Sequence, residues 1–159
     1  MTASAGAFVV RVAGPEDVPA LHELWMAQAD RRDWMPAASP GGLLPELDVL
    51  AAENRVWGAF RGGRPVAVAA AGELDGAMWL SVLGVARECR GRGLSRSLLA
   101  SVLGHGAFAC YPALIAFARP ERGGFLDHVG FVRLDADQIE PGARNIAARY
   151  RLEPWARRL

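Results

Sequence analysis

From Leu83 to Leu99 the chain reads Leu-Gly-Val-Ala-Arg-Glu-Cys-Arg-Gly-Arg-Gly-Leu-Ser-Arg-Ser-Leu-Leu, an apolar run broken by Arg90-Gly91-Arg92-Gly93 and then resumed at helical spacing. A strand, a glycine turn and a helix in that order make an anion site. The glycines let backbone N–H groups converge on a ligand, and the helix N-terminus adds partial positive charge. Arg90, Arg92 and Arg96 add full charges, so the segment suits a pyrophosphate. It is not the dinucleotide fingerprint, because G-x-G-x-x-G would need glycine where Arg96 stands. A Walker-type phosphate loop is excluded too, since the sequence contains no lysine.

The flanking pattern changes period. Phe8 to Val12 reads as a strand, and Pro15-Glu16-Asp17 opens a helix running to about Arg31 with Val18, Leu21, Leu24 and Trp25 on one face. A Pro/Gly-rich loop covers Asp33 to Gly42, and Leu43 to Glu53 forms a second helix. Val56 to Phe60, Pro65 to Gly72 and Met78 to Ala86 then read as three antiparallel strands, joined at Arg61-Gly62-Gly63-Arg64 and Asp75-Gly76. After the glycine turn, Leu94 to Leu103 is a helix with Leu94, Leu98 and Val102 stacked. Ala113 to Ala118, apolar without alternation, is a strand buried on both faces. Phe125 to Val129 is a short helix. Phe131 to Leu134 and Ala148 to Leu152 are expected as a closing antiparallel pair turning at Pro141-Gly142. The order β-α-α-β-β-β-α-β-α-β-β, without repeat or linker, predicts a single α+β domain over residues 8–159.

Composition narrows function further. At 159 residues, 52% hydrophobic and 22% charged, the chain can bury a sizeable core, which excludes disorder. A net charge of +1 argues against a nucleic-acid-coating protein. The absence of lysine removes Schiff-base chemistry. Cys89, Cys110, His22, His105 and His128 show no metal-ligand spacing, so no metal is expected. Neither a signal peptide nor a membrane span is readable, and a reducing cytoplasm is the expected compartment. Charge is divided along the chain: residues 1–80 hold 6 arginines and 10 carboxylates, residues 81–159 hold 12 and 7.

Arg90-x-x-Gly93-x-Ser95 resembles the R/Q-x-x-G-x-G/A signature of the GNAT superfamily of N-acetyltransferases, preceded by Val85 to Cys89 where that family often has V-x-P-E-Y. Phe125-Leu-Asp-His-Val-Gly-Phe131 resembles the family's F-Y-x-x-x-G-F segment, and the element order fits from about Val9 to Leu152. The resemblance implies a mixed, mostly antiparallel sheet with flanking helices, in which two parallel strands, Met78 to Ala86 and Ala113 to Ala118, splay to form a cleft for acetyl-CoA. It assigns the pantetheine to backbone at Leu83, Gly84 and Val85. The pyrophosphate falls to Arg90, Gly91, Arg92, Gly93, Leu94 and Ser95, with Phe125 beside the cofactor. The implied activity is direct transfer of acetyl to a primary amine, small or peptidic, without a covalent acyl-enzyme.

The chain departs from the family at Leu126, where the family has the tyrosine credited with protonating the leaving thiolate. A thiol of pKa near 8.5 leaves with little help at neutral pH, so transfer does not require that tyrosine. His128 could supply a proton, although two residues on along a helix it faces another way. Tyr111 lies at the wrong end of its strand. Arg119 and Arg122, at the cleft mouth, are candidate phosphate contacts. Glu73 is the candidate base, ahead of Asp75, which the hairpin turn already explains. Trp79 and Ser81 are expected near the acetyl position, and Trp34 and Met35 beside the acceptor. Acids at Glu46, Asp48 and Glu53 favour a cationic acceptor, and the same acidic half disfavours RNA. The alternative reading is a non-catalytic acyl-CoA sensor of the same fold. The C-terminal segment around Trp155 could contribute to a homodimer.

Overall fold

The computed structural model describes residues 6–27, 43–74 and 76–159. Strands β1 (Val9–Val12), β2 (Val56–Arg61), β3 (Arg64–Leu74), β4 (Ala77–Val85), β5 (Ala113–Ala118), β6 (Val132–Arg133) and β7 (Glu153–Arg158) form one sheet in the order β1-β2-β3-β4-β5-β7-β6. Neighbours are antiparallel except β4 and β5, which pair in parallel. Helices α1 (Val18–Ala27), α2 (Leu43–Ala52), α3 (Leu94–Leu103), α4 (Gly123–His128) and α5 (Pro141–Tyr150) flank it. The mixed α+β architecture and the three-strand meander are those expected. Gly62 and Gly63, at φ 57° and 76°, supply the left-handed pair that a two-residue hairpin turn requires.

β3 explains how the helices sit on both faces. Its run Ala67-Val68-Ala69-Ala70-Ala71 alternates between two cores: Ala67, Ala69 and Ala71 join the cluster that includes α3 and α4, while Val68 and Ala70 join that of α1 and α2. Small side chains let backbones approach from either side, and α3 and α1 both pack on this strand. The first core centres on Trp57, Phe108, Leu98, Leu114 and Phe131, and the second on Leu21, Trp25 and Leu47. A third cluster beneath α5 joins Trp79 and Phe117 to Ile139, Ala143, Ala147 and Leu152. β5 is covered on both sides, as its unbroken apolar run predicts: Leu114, Ala116 and Ala118 face one way and Phe117 the other.

The closing segment corrects the sequence reading. Ala148 to Leu152 is not a strand, and Pro141-Gly142 is not a turn. Pro141 opens α5, where its missing N–H costs nothing, and Ala143 and Ala147 bury one helical face. Arg151, at φ 55°, caps that helix, and the last strand follows as Glu153–Arg158. Pro154 is tolerated in it because its nitrogen points to the side of β6, a strand only two residues long. The first helix begins with a 3-10 turn, Pro15–Asp17, and α1 is described as far as Ala27; the loop beyond it, with Trp34 and Met35, lies outside the described residues, as does Asp75.

Asp17 ties the first strand to the first helix. Its carboxylate takes the Gly14 N–H at 3.0 Å and a two-pronged contact from Arg11 at 2.7 and 3.0 Å. The Arg11 bond holds the Asp17 carboxyl below its usual range. A lowered folded pKa stabilises above the unfolded value near 3.9, and the contribution is lost as pH falls through the folded value. Asp17→Ala should therefore cost about 1 kcal/mol near neutrality by urea denaturation, with the gap to wild type closing below about pH 4.

Candidate active site

The site begins where two strands part. β4 and β5 pair only through Met78, Trp79 and Leu80 against Leu114, Ile115 and Ala116. At the next residue β4 carries a bulge: Ala70 faces Val82 and Ala71 faces Leu80, leaving Ser81 as the extra residue. Ser81 is buried, and its hydroxyl donates to the Ala70 carbonyl at 3.2 Å. Beyond it β4 keeps its bonds to β3 but, among the described residues, has no strand partner on the β5 side.

This exposes backbone selectively. Ala86 N–H donates to the Val66 carbonyl at 2.8 Å, so by alternation Gly84 turns its polar groups to β3 while Leu83 and Val85 turn theirs to the cleft. Arg90 Nε already donates to the Val85 carbonyl at 3.1 Å, which fixes the start of the turn against the strand. Among the described residues, Leu83 N–H and C=O and the Val85 N–H face the cleft with no strand partner.

At the far end Gly91 and Gly93 adopt φ of 74° and 75°, a left-handed conformation that side chains resist. Gly93 is the N-cap of α3 and provides no side-chain cap, and the first intrahelical bond runs from Ser97 N–H to its carbonyl. The N–H groups of the first helical turn are thus left to a ligand. A cavity of about 660 Å³ joins this turn to the open strand, within the usual size for a small-molecule site. Ala118, Phe125 and Leu126 close its other wall, with Arg96 and His128 at the mouth. Leu126 is buried, so no proton donor stands at that position.

Of the expected cofactor residues, Leu83, Gly84, Val85 and Phe125 line this cavity, as do Arg90, Gly91, Gly93, Leu94 and Ser95. Arg92 leans toward Phe8, its guanidinium 5.7 Å from the ring centre. Arg119 is exposed in the turn after β5 and does not line the cavity, and the side chain of Arg122 lies outside the described part. Cys89 and Ala118 line the cavity without having been among the expected contacts, and Arg96, read as a charge of the anion site, and His128, weighed as a proton donor, line it too. For His128 the signal was available, since it follows Phe125 by three residues and so shares its helix face.

The expected catalytic and acceptor residues scatter more widely. Glu73 is exposed opposite Met78, at the closed end of the strand pair, where Tyr111 Oη donates to its Oε2. It stands roughly 15 Å along the strand from Leu83. That bond also raises the Tyr111 phenol. Trp79 packs edge to face on Phe117 at 5.7 Å, on the sheet face opposite α3. On the same face Leu50 of α2 rests against Gly72, the cross-strand neighbour of Trp79. One turn earlier Glu46 has a buried Oε2 without a hydrogen-bond partner, and burial raises its pKa. Asp48 and Glu53 are exposed. Trp155 is buried, packed on Gly123, and so is committed to the core rather than to a partner surface. Cys110 is exposed. Among the described residues no group of His, Cys, Asp and Glu could hold a metal, and no helix is long and apolar enough to cross a membrane.

A parted parallel strand pair, a bulge at the parting and a glycine turn feeding a helix meet along one cavity. Residues 37–152 match the acetyltransferase (GNAT) domain family, and the chain belongs to that family. No curated protein matches it in sequence. N-acetylglutamate synthase from Neisseria gonorrhoeae, solved with coenzyme A and N-acetyl-glutamate, superposes with a TM-score of 0.77 at 17% identity, covering 99% of this chain and 36% of that one. The chain thus spans about a third of that enzyme's length. Diaminobutyrate acetyltransferase from Paenibacillus lautus, solved with its substrate and coenzyme A, gives 0.64 at 14% identity, over 95% of this chain and 93% of that one. An acetyltransferase from Thermus thermophilus gives 0.64 at 20% identity, over 99% of this chain and 100% of that one.

Two substitutions probe the walls of the site. A Cβ at Gly123 would fall 2.5 Å from Trp155 Cζ2, so Gly123→Ala should cost roughly 1–3 kcal/mol through overpacking and shift tryptophan fluorescence. For Glu46, a raised folded pKa means that stability is lost as pH rises from the unfolded value near 4.3. Glu46→Gln should raise the Tm at pH 7 and have a smaller effect at about pH 4.

Proposed function

We propose that the chain transfers an acetyl group from acetyl-CoA directly to a primary amine. The carrying observation is the combination at β4: open backbone at Leu83 and Val85, then a cavity leading to the N–H groups of the Gly93 turn. That sequence of donors fits a ligand with amides at one end and a pyrophosphate at the other. The coenzyme supplies an activated thioester when bound, and the protein's residues position it. The amine nitrogen forms the new C–N bond, the C–S bond breaks, the amine proton passes to a base and the thiolate takes its proton from water. Leu126 excludes a side-chain acid at the family's position, which a thiol leaving group tolerates.

Glu73 acts as base in this reading only through a water relay, given its distance from Leu83. The acceptor side is the sheet face opposite α3, where α2 brings Glu46, and a carboxylate there favours a cationic amine. Small amine acceptors are also named for the neighbours: diaminobutyrate in one, and glutamate as its acetylated form in another.

Calorimetry and a transfer assay test the proposal. Gly93→Glu would place a bulky anion where the pyrophosphate binds and should abolish CoA binding in a folded protein; undiminished affinity would exclude the site. Glu73→Gln should lower transfer at least about tenfold below the acceptor's pKa, and an unchanged pH–rate profile would remove Glu73 as base. The second reading, a CoA-binding sensor, draws on Leu126 and expects CoA binding with no turnover on any amine of a broad panel.

A further inference from the structure

The end of the sheet that carries the glycine turn also carries arginines that the cleft does not use. Ala86 N–H donates to the Val66 carbonyl at 2.8 Å, which sets the 3-10 turn Arg87–Cys89 beside the start of β3. Arg61 and Arg64 pair across the adjoining β2–β3 hairpin. Arg61 and Arg92 meet at one ring: their guanidinium carbons lie 5.6 and 5.7 Å from the centre of Phe8, within reach of a cation–π contact. Two segments far apart in sequence thus bring Arg61, Arg64, Arg87 and Arg92 to one rim.

This rim is unbalanced in charge. Residues 61–64 and 87–92 hold five arginines and one carboxylate, Glu88. Arg64, Arg87 and Arg92 are exposed, Arg61 is half-buried, and among the described residues none of the four has an ion pair. Like charges gathered without acids repel one another, and an anionic partner relieves that repulsion. None of the four lines the cavity, so the coenzyme's place in it leaves them available. The opposite face separates donor from acceptor. It carries Glu46, with Asp48 and Glu53 exposed, so a polyanionic acceptor such as RNA is repelled from the acceptor side. A polyanion at the arginine rim stands instead on the donor's side, beside the turn that ends the cleft.

We propose that the arginine rim docks the acidic surface of a carrier protein, whose phosphopantetheine thioester enters the cleft as a second acyl donor. The proposal rests on the coenzyme reading above and deepens it, adding a macromolecular donor to the same site. A phosphopantetheine arm presents the same amides as coenzyme A, its phosphodiester reaches the Gly93 turn, and the protein that bears it covers the rim. The transfer step is unchanged: the amine nitrogen bonds to the acyl carbon, the C–S bond breaks, the amine proton passes to a base and the carrier thiolate takes a proton from water. Opposite charges across such a contact govern encounter and the choice of partner.

Calorimetry with an acidic acyl carrier protein in holo and apo forms, alongside CoA, tests this on the intact protein. Wild type should bind the holo-carrier at least about tenfold more tightly than the apo form, which lacks the arm, and CoA should displace it. Arg64→Glu with Arg87→Glu should weaken the holo-carrier at least about tenfold and leave CoA affinity unchanged, which also shows the variant to be folded. Arg64→Lys with Arg87→Lys should retain the carrier, because a rim read by charge accepts either cation. With an amine that accepts acetyl from acetyl-CoA, the acetyl-loaded carrier should also serve as donor. A holo-carrier that fails to bind where CoA binds, that CoA does not displace, or that the glutamate variant binds unchanged would overturn the assignment while leaving the coenzyme reading intact. So would a short RNA duplex that binds the rim as tightly as the holo-carrier. Wild type that binds neither CoA nor the holo-carrier would overturn both.

Discussion

The separation of β4 from β5 after Leu80 is the constraint on which the rest of the site depends. A parallel pair closed along its full length would consume the backbone groups of Leu83 and Val85 and leave no opening between the helical layers. The Ser81 bulge is the local device at the parting. It offsets the register with β3 by one residue, and the serine hydroxyl satisfies the Ala70 carbonyl inside an otherwise apolar layer. The strand therefore stays bonded on its β3 edge while its other edge is released.

Packing keeps that opening from collapsing. β3 carries alanines toward both helical layers, so α3 can sit close to the sheet and direct its N-terminus at the end of the cleft. On the other wall Trp155 fills the space left by Gly123, which sets α4 in place and turns Phe125 and Leu126 inward. Arg90 joins the two ends of the site, linking the turn to the last carbonyl of β4. Charge follows the same geometry: the arginine-rich second half of the chain supplies the turn and Arg96 at the cleft mouth, while the acidic first half supplies α2 on the opposite face.

Much of this is legible in the sequence. The three-strand meander, the glycine turn and the two-sided burial of β5 each leave a period or a punctuation mark in the sequence. The closing segment was not legible, because Pro-Gly is ambiguous: the same pair marks a turn or opens a helix, and only the burial of Ala143 and Ala147 against Phe117 and Ile139 decides between them. Arg92 illustrates a different limit. Its place in the turn was right, but an exposed arginine takes its direction from neighbours distant in sequence, here Phe8 on the edge of the sheet. Glu73 reads in sequence as a carboxylate near the central strands, and its bond to Tyr111, 38 positions away, leaves no mark in local spacing.

The sequence by itself determined the element types from the first strand through α4, the family and the glycine turn, because these follow from local spacing and from conformations only glycine adopts readily. Tertiary structure alone decided where β4 and β5 part, which backbone groups face the cleft, and that Arg61 and Arg92 meet at Phe8. Those features depend on strand register and on contacts between residues far apart in the chain, and neither is encoded in the spacing of near neighbours.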